Sequence, residues 1–196
     1  MPNLLPFRSY DEHDVVNLFG YHGTPDNSGL VLAKGTVVRV AGDTSGSSVA
    51  GFGWENDTVP TYEIGNVGQG VNNTVSLRYG TRAKLAVPST VSESVLGLVL
   101  MDVRETDENG EKLVYHPRKA AEIGAVINGH TVPVLTRGIV TYSGFSAPGT
   151  SSQVGQDVFL GVNGGLSLSS ADSATRIGKL LSDINPAGVA LLKVEL

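Results

Sequence analysis

Apolar residues in this chain come in short, valine-rich runs cut by glycine, and this pattern constrains the fold more than any other feature. Segments such as "KGTVVRVAGD" (34–43), "AKLAVP" (83–88) and "GVALLKVEL" (188–196) are strand-length. Branched side chains are stiff about χ1 and pack well on a pleated surface, whereas an amphipathic helix needs apolar residues spaced three and four apart over ten or more positions. The chain has 25 glycines in 196 residues, nearly double the usual share of about 7%. Placed between the runs, they read as turns, bulges and sites of close backbone approach. A mainly β fold follows, an antiparallel barrel or sandwich with one or two short helices and an extended N-terminal arm.

Composition narrows the function. The absence of cysteine removes disulfide frameworks, thiolate metal sites and cysteine nucleophiles. Nineteen acidic against fourteen basic residues give a net charge of -5, and the scattered cations form no stripe that could neutralise phosphates, so no nucleic-acid partner is expected. The start "MPNLLPFRSYDEHD" has neither a cationic segment nor a long apolar run, and no stretch reaches membrane-spanning length. The chain is therefore expected to act where it is made, without a membrane partner. Charged residues make up only 17% of the chain, against about a quarter in an ordinary soluble domain, which fits surfaces covered by neighbours.

Further strands are predicted in "NNTVSLRYG" (72–80), "TVPVLTRGIVTYSG" (131–144), "QDVFLGVNGGLSLS" (156–169) and "RIGKLLSDI" (176–184). The segment 94–117 reads as a hairpin turning at Asn109-Gly110, with "VLMDVRE" and "EKLVYH" as its arms, because Asn-Gly accepts the positive φ angles of tight turns. After it, "RKAAEIGAVI" (118–127) is the best helix, entered through Pro117 and ending near Gly124 or Gly129. Residues 1–20 are set apart as an arm, extended through its first two prolines and readable as helix (Ser9-x-x-Glu12) or as strand (Val15, Asn17, Phe19) beyond them. Residues 21–196 form the β-rich body. Residues 71–103 align without gaps to 152–184, matching Gly80 to Gly161, Leu85 to Leu166, Ser89 to Ser170, Ser92 to Ser173, Gly97 to Gly178, Leu100 to Leu181 and Asp102 to Asp183. This predicts two similar β units packed into one domain.

Chemistry-bearing motifs are weak. Asp11-Glu12-His13-Asp14, with His22 nearby, is the one cluster resembling metal ligands, but consecutive residues point to different faces in helix or strand. Neither His116 nor His130 lies in a nucleophile motif and no Gly-x-Ser-x-Gly occurs. "GNVGQG" (65–70) reverses the dinucleotide fingerprint, and Asp107-x-Asn109-Gly110 opens like a calcium loop without its downstream ligands. No catalytic, cofactor-binding or metal residue is assigned. The remaining candidates are interface residues: Pro2, Leu4, Leu5 and Phe7 in the arm, and Phe52 and the sole tryptophan, Trp54, in the long Ser/Gly loop 42–60.

The segments "PFRSYDEHDVVNLF", "VPVLTRGIVTYSG" and "VGQDVFLGVNGGLSLSS…TRIGKLLSDINPAGVALLKVEL" resemble those of small β-rich head proteins of tailed bacteriophages, especially capsid decoration (cement) proteins of cyanophage type. The 42–60 loop and the helix near Lys119 look like additions to that pattern. The resemblance implies a non-enzymatic protein of the virion's outer surface, a homotrimer that binds the major capsid protein and stabilises the head lattice. Many copies of a symmetric oligomer would bridge capsomers with avidity. The alternatives are another virion component, such as a head fibre, neck or tail protein, and a β-rich hydrolase or carbohydrate-binding domain using His13, Asp14, His116 or Trp54.

Overall fold

The computed structural model describes residues 3–6, 14–17, 19–40, 85–145, 152–169 and 175–196. They form fourteen strands, β1 (Asn3–Pro6), β2 (Val15–Val16), β3 (Leu30–Leu32), β4 (Val37–Val40), β5 (Leu85–Ala86), β6 (Gly97–Val99), β7 (Asp102–Arg104), β8 (Ala125–Ile127), β9 (Val134–Leu135), β10 (Arg137–Ser143), β11 (Asp157–Leu160), β12 (Leu166–Ser167), β13 (Arg176–Leu180) and β14 (Val189–Glu195), with one α-helix, α1 (Pro117–Glu122). The protein is mainly β. A six-stranded sheet runs β1-β10-β14-β13-β11-β12, a five-stranded sheet β2-β9-β6-β4-β5 and a three-stranded sheet β3-β7-β8. All pairs are antiparallel except β7–β8.

Burial explains the two kinds of strand sequence. In β10 and β14, buried and half-buried residues alternate, as period-two side chains must when one sheet face is covered. In the five-stranded sheet the adjacent pairs Val37-Val38, Leu98-Val99 and Val134-Leu135 are all fully buried. This sheet is covered twice. Val37, Leu98 and Leu135 pack into the core of the six-stranded sheet with Tyr142, Leu160, Ile177 and Leu192. Val38, Val99 and Val134 pack with Leu32, Val103, Phe19 and Val132 on the other side.

The two larger sheets repeat one another. With β1 set aside, the chain-order series β2, β4, β5, β6, β9 and β10, β11, β12, β13, β14 occupy the same places in their sheets. Registers agree to the residue. Val38 faces Gly97 as Val158 faces Gly178, Val40 faces Leu85 as Leu160 faces Leu166, and Leu98 faces Leu135 as Lys179 faces Lys193. Connecting hydrogen bonds agree too: Gly35 N–H donates to Val99 O at 2.7 Å and Gly155 N–H to Leu180 O at 2.8 Å. Leu100 N–H donates to Pro133 O at 3.0 Å, and Leu181 N–H to Leu191 O at 2.8 Å. Asp102 and Asp183 each accept a backbone N–H from the loop leading into β4 or β11, at 2.7 and 2.6 Å. The matched pairs Leu85/Leu166, Gly97/Gly178, Leu100/Leu181 and Asp102/Asp183 thus stand at corresponding places. Gly80, Ser170 and Ser173 lie outside the described residues, as does "NNTVSLRYG".

Three expectations change. The predicted helix ends at the first of its two expected stops, Gly124, whose positive φ of 65° turns residues 125–127, read as its last turn, into β8. The Asn109-Gly110 turn forms, but its second arm does not become a strand: β7 already has β3 on one edge and β8 on the other, leaving only the bridge Thr106–Lys112. The 1–20 arm divides, since Val15–Val16 pairs with β9 and Phe19 is in the core, while Asn3–Pro6 forms the edge strand beside β10.

Gly97 and Gly178 are the tightest shared feature. A Cβ at either would collide with the backbone oxygen of its neighbour, Leu135 or Lys193. Gly178→Ala and Gly97→Ala are each expected to destabilise the fold by about 3 kcal/mol through overpacking against backbone, measured by urea denaturation.

Candidate functional site

The repeat isolates what is extra. In the second unit a short turn, Leu181–Gly188, joins β13 to β14, whereas in the first unit β7, α1 and β8 stand between β6 and β9. This inserted unit carries its own side-chain hub. Asp107, only 2% exposed, accepts the N–H groups of Asn109 at 2.7 Å and Glu111 at 2.9 Å on Oδ1. Its Oδ2 accepts a hydrogen bond from Lys119 Nζ on α1. Lys119 also lies 3.3 Å from Glu108 Oε1. Gly110, at φ 82°, closes the turn, which its neighbour Asn109 enters without a positive φ. Beneath, Leu113, Ala120 and Ile127 form a small core. One buried carboxylate therefore ties the turn to the helix.

The Lys119 hydrogen bond, chiefly, holds the Asp107 carboxyl down to about 2 from an ordinary 3.8, with the two backbone amides adding to it and burial opposing. Both carboxylate oxygens being engaged, Asp107 is a fastener rather than a general base.

Over this hub lies an open depression of roughly 380 Å³ lined by Glu111, Tyr115, His116, Arg118, Lys119 and Glu122, among others. Tyr115 is 75% exposed and is flanked in sequence by half-exposed Val114. His116 Nε2 is 4.0 Å from Glu111 Oε2, and Arg118 donates to Glu122 at 3.2 Å. A shallow surface with an exposed tyrosine suits contact with a macromolecule better than enclosure of a small substrate.

A second surface is the outer face of the six-stranded sheet. Arg176 lies 2.8 Å from Asp157 and 3.3 Å from Glu195, Lys179 lies 3.8 Å from Asp157, and Lys193 pairs with Glu195. A register shift between Val158 and Phe159 sends Ile177 into the core while Arg176 and Lys179 stay on the outer side.

The residues singled out in the sequence scatter. Leu4 and Leu5 are in β1, opposite Tyr142 and Thr141. Pro2, Phe7, His13, Phe52 and Trp54 lie outside the described residues. Asp14 is buried, and its backbone oxygen accepts the N–H and hydroxyl of Thr136 at 2.9 and 3.0 Å. Among the described residues no three His, Asp or Glu side chains are grouped to hold a metal ion. His116 precedes α1, and His130 follows β8 with its imidazole pKa lowered by burial. Asp107-x-Asn109-Gly110 spends its carboxylate on Lys119 and its own turn. Sequence reasoning missed both the Asp107–Lys119 pair and exposed Tyr115. The first was signalled only by an acid at the head of an Asn-Gly turn.

Comparison with protein families, with characterised proteins and with solved structures finds no match to this chain.

Acid should loosen the hub in a defined window. The Asp107 carboxyl is depressed in the fold, so its stabilising contribution is complete above pH 3.8 and is lost as pH falls toward about 2. Asp107→Asn removes this titration, and its denaturation midpoint should fall less steeply between pH 4 and 2 than that of the unaltered protein.

Proposed function

We propose that this chain is a capsid decoration protein, an oligomer, expected to be a homotrimer, that binds the outer surface of a tailed-phage head and stabilises the major capsid protein lattice. One observation supports this reading above others: strand β1 adds in antiparallel register to the edge of β10, with Asn3 facing Ser143 and Pro6 facing Val140. Strand addition of this kind draws on main-chain groups and little on side-chain identity. A neighbouring chain's arm can make it as well as the chain's own. The doubled β body is a rigid platform for such contacts, and the inserted unit offers Tyr115 at its surface. The sequence resemblance to cement proteins and the low charge content point the same way.

Heads assembled with and without the chain, then heated or osmotically shocked and viewed by electron microscopy, test the reading. Heads lacking it are expected to rupture under milder stress; equal robustness would overturn the proposal. The arm gives a sharper test, which must stop short of Asp14 because that residue is built into the five-stranded sheet. Deleting residues 2–6 should leave the melting transition in place while oligomerisation, read by size-exclusion chromatography, and head occupancy both fall. Full retention of both would remove the arm from the interface.

A further inference from the structure

We infer that the outer face of the six-stranded sheet is the surface that meets the shell, and that its counterpart there is an acidic protein surface; this rests on the decoration reading above. The internal repeat supplies the comparison. On the five-stranded sheet, the corresponding face consists of Val15, Val37, Val95, Leu98, Leu100 and Leu135, all packed against or within the core it shares with the six-stranded sheet. On the six-stranded sheet the positions equivalent by register are Ile139, Asp157, Lys179 and Lys193, and the gapless alignment of 71–103 to 152–184 adds Arg176 for Val95 and Leu181 for Leu100. Charges stand in place of apolar residues only on the face that no second sheet of the described residues covers. Such replacement stops the sheets from stacking further, in the way a polar cap ends a repeat array.

Prevention of stacking would need charge of either sign, yet this face is cationic. Arg137, Arg176, Lys179 and Lys193 stand against Asp157 and Glu195, in a chain whose net charge is -5. The rest of the chain is correspondingly acidic. Arg137, exposed at the start of β10, has no ion pair among the described residues. Half-buried Ile139, Phe159 and Leu191 lie between the charges, and Leu181, 40% exposed, stands at one end. Arginine, aromatic and apolar side chains are enriched at protein–protein interfaces, and the lysines add positive potential that an acidic partner surface would complement. A phosphate backbone fits less well, because two carboxylates sit inside the cationic row and already neutralise part of it.

The test is co-sedimentation with heads that lack the chain, at about 50 mM salt, where surface charges are least screened. Lys179→Glu/Lys193→Glu should bind about tenfold more weakly, Lys179→Arg/Lys193→Arg should bind like the unaltered protein, and binding by the unaltered protein should weaken as salt is raised. Circular dichroism melting checks that the double variant folds. If it does not, Arg137→Glu, which breaks no ion pair among the described residues, carries the same expectation of weakened binding. Undiminished binding by the folded charge-reversed protein overturns this inference and leaves the decoration reading standing. Binding to naked double-stranded DNA as tight as to heads overturns it in favour of a nucleic-acid face. Failure of the unaltered protein to bind heads removes the decoration reading and this inference together.

Discussion

The middle of the five-stranded sheet is buried on both faces, and the rest of the molecule follows from that. Val37 and Val38 in β4, Leu98 and Val99 in β6, and Val134 and Leu135 in β9 place fully buried side chains on both sides of one layer. A sheet of this kind cannot stand alone, since either surface left bare would expose a contiguous apolar patch. One side is closed by the six-stranded sheet, the other by β3, β7 and β8 with Phe19 and Val132. The second unit and the insertion are thus both conditions of the first unit's folding.

The repeat makes the stacking directional. The side of the six-stranded sheet that faces inward, with Val140, Val158, Leu160, Leu180 and Leu192, corresponds by register to the side of the five-stranded sheet that faces away from it, with Val16, Val38, Val40, Val99 and Val134. The two units are therefore layered head to tail instead of face to face. Head-to-tail contacts do not close by themselves and would propagate into fibres if each unit kept both apolar faces. The chain ends the series at both ends by different means: a ladder of ion pairs on the six-stranded sheet, and an inserted unit with its own helix and small core on the other side.

This arrangement explains what was legible in the sequence. Strands with one covered face, such as "GVALLKVEL", announce themselves by alternation, and those of the doubly covered sheet by adjacent apolar pairs, Val37-Val38, Leu98-Val99 and Val134-Leu135. The repeated glycines Gly97 and Gly178 were visible because each must admit a neighbouring backbone oxygen. What was not legible depends on distant partners. "EKLVYH" has the composition of a strand and fails to form one only because β8, supplied from residues 125–127, takes the edge of β7. Residues 125–127 themselves have the pattern of a helix end, and it is the parallel ladder to β7, with the turn at Gly124, that makes them extended. The partner of Asp107 was hidden likewise, since a lysine on a helix offers no pattern that names the turn it will fasten.

The insertion and the charged face then have related origins in one constraint. A duplicated β unit has two apolar sides in each copy, and the copies can satisfy only one contact between them. Of the two sides left over, one has a covering layer, which carries exposed Tyr115 and the pairing of buried Asp107 with half-buried Lys119 that ties its turn to its helix. The other carries charge, which makes its exposure to water inexpensive where no described layer covers it. At each end of the stack, the residues that depart from the repeat are those that settle a side the other copy leaves unmatched.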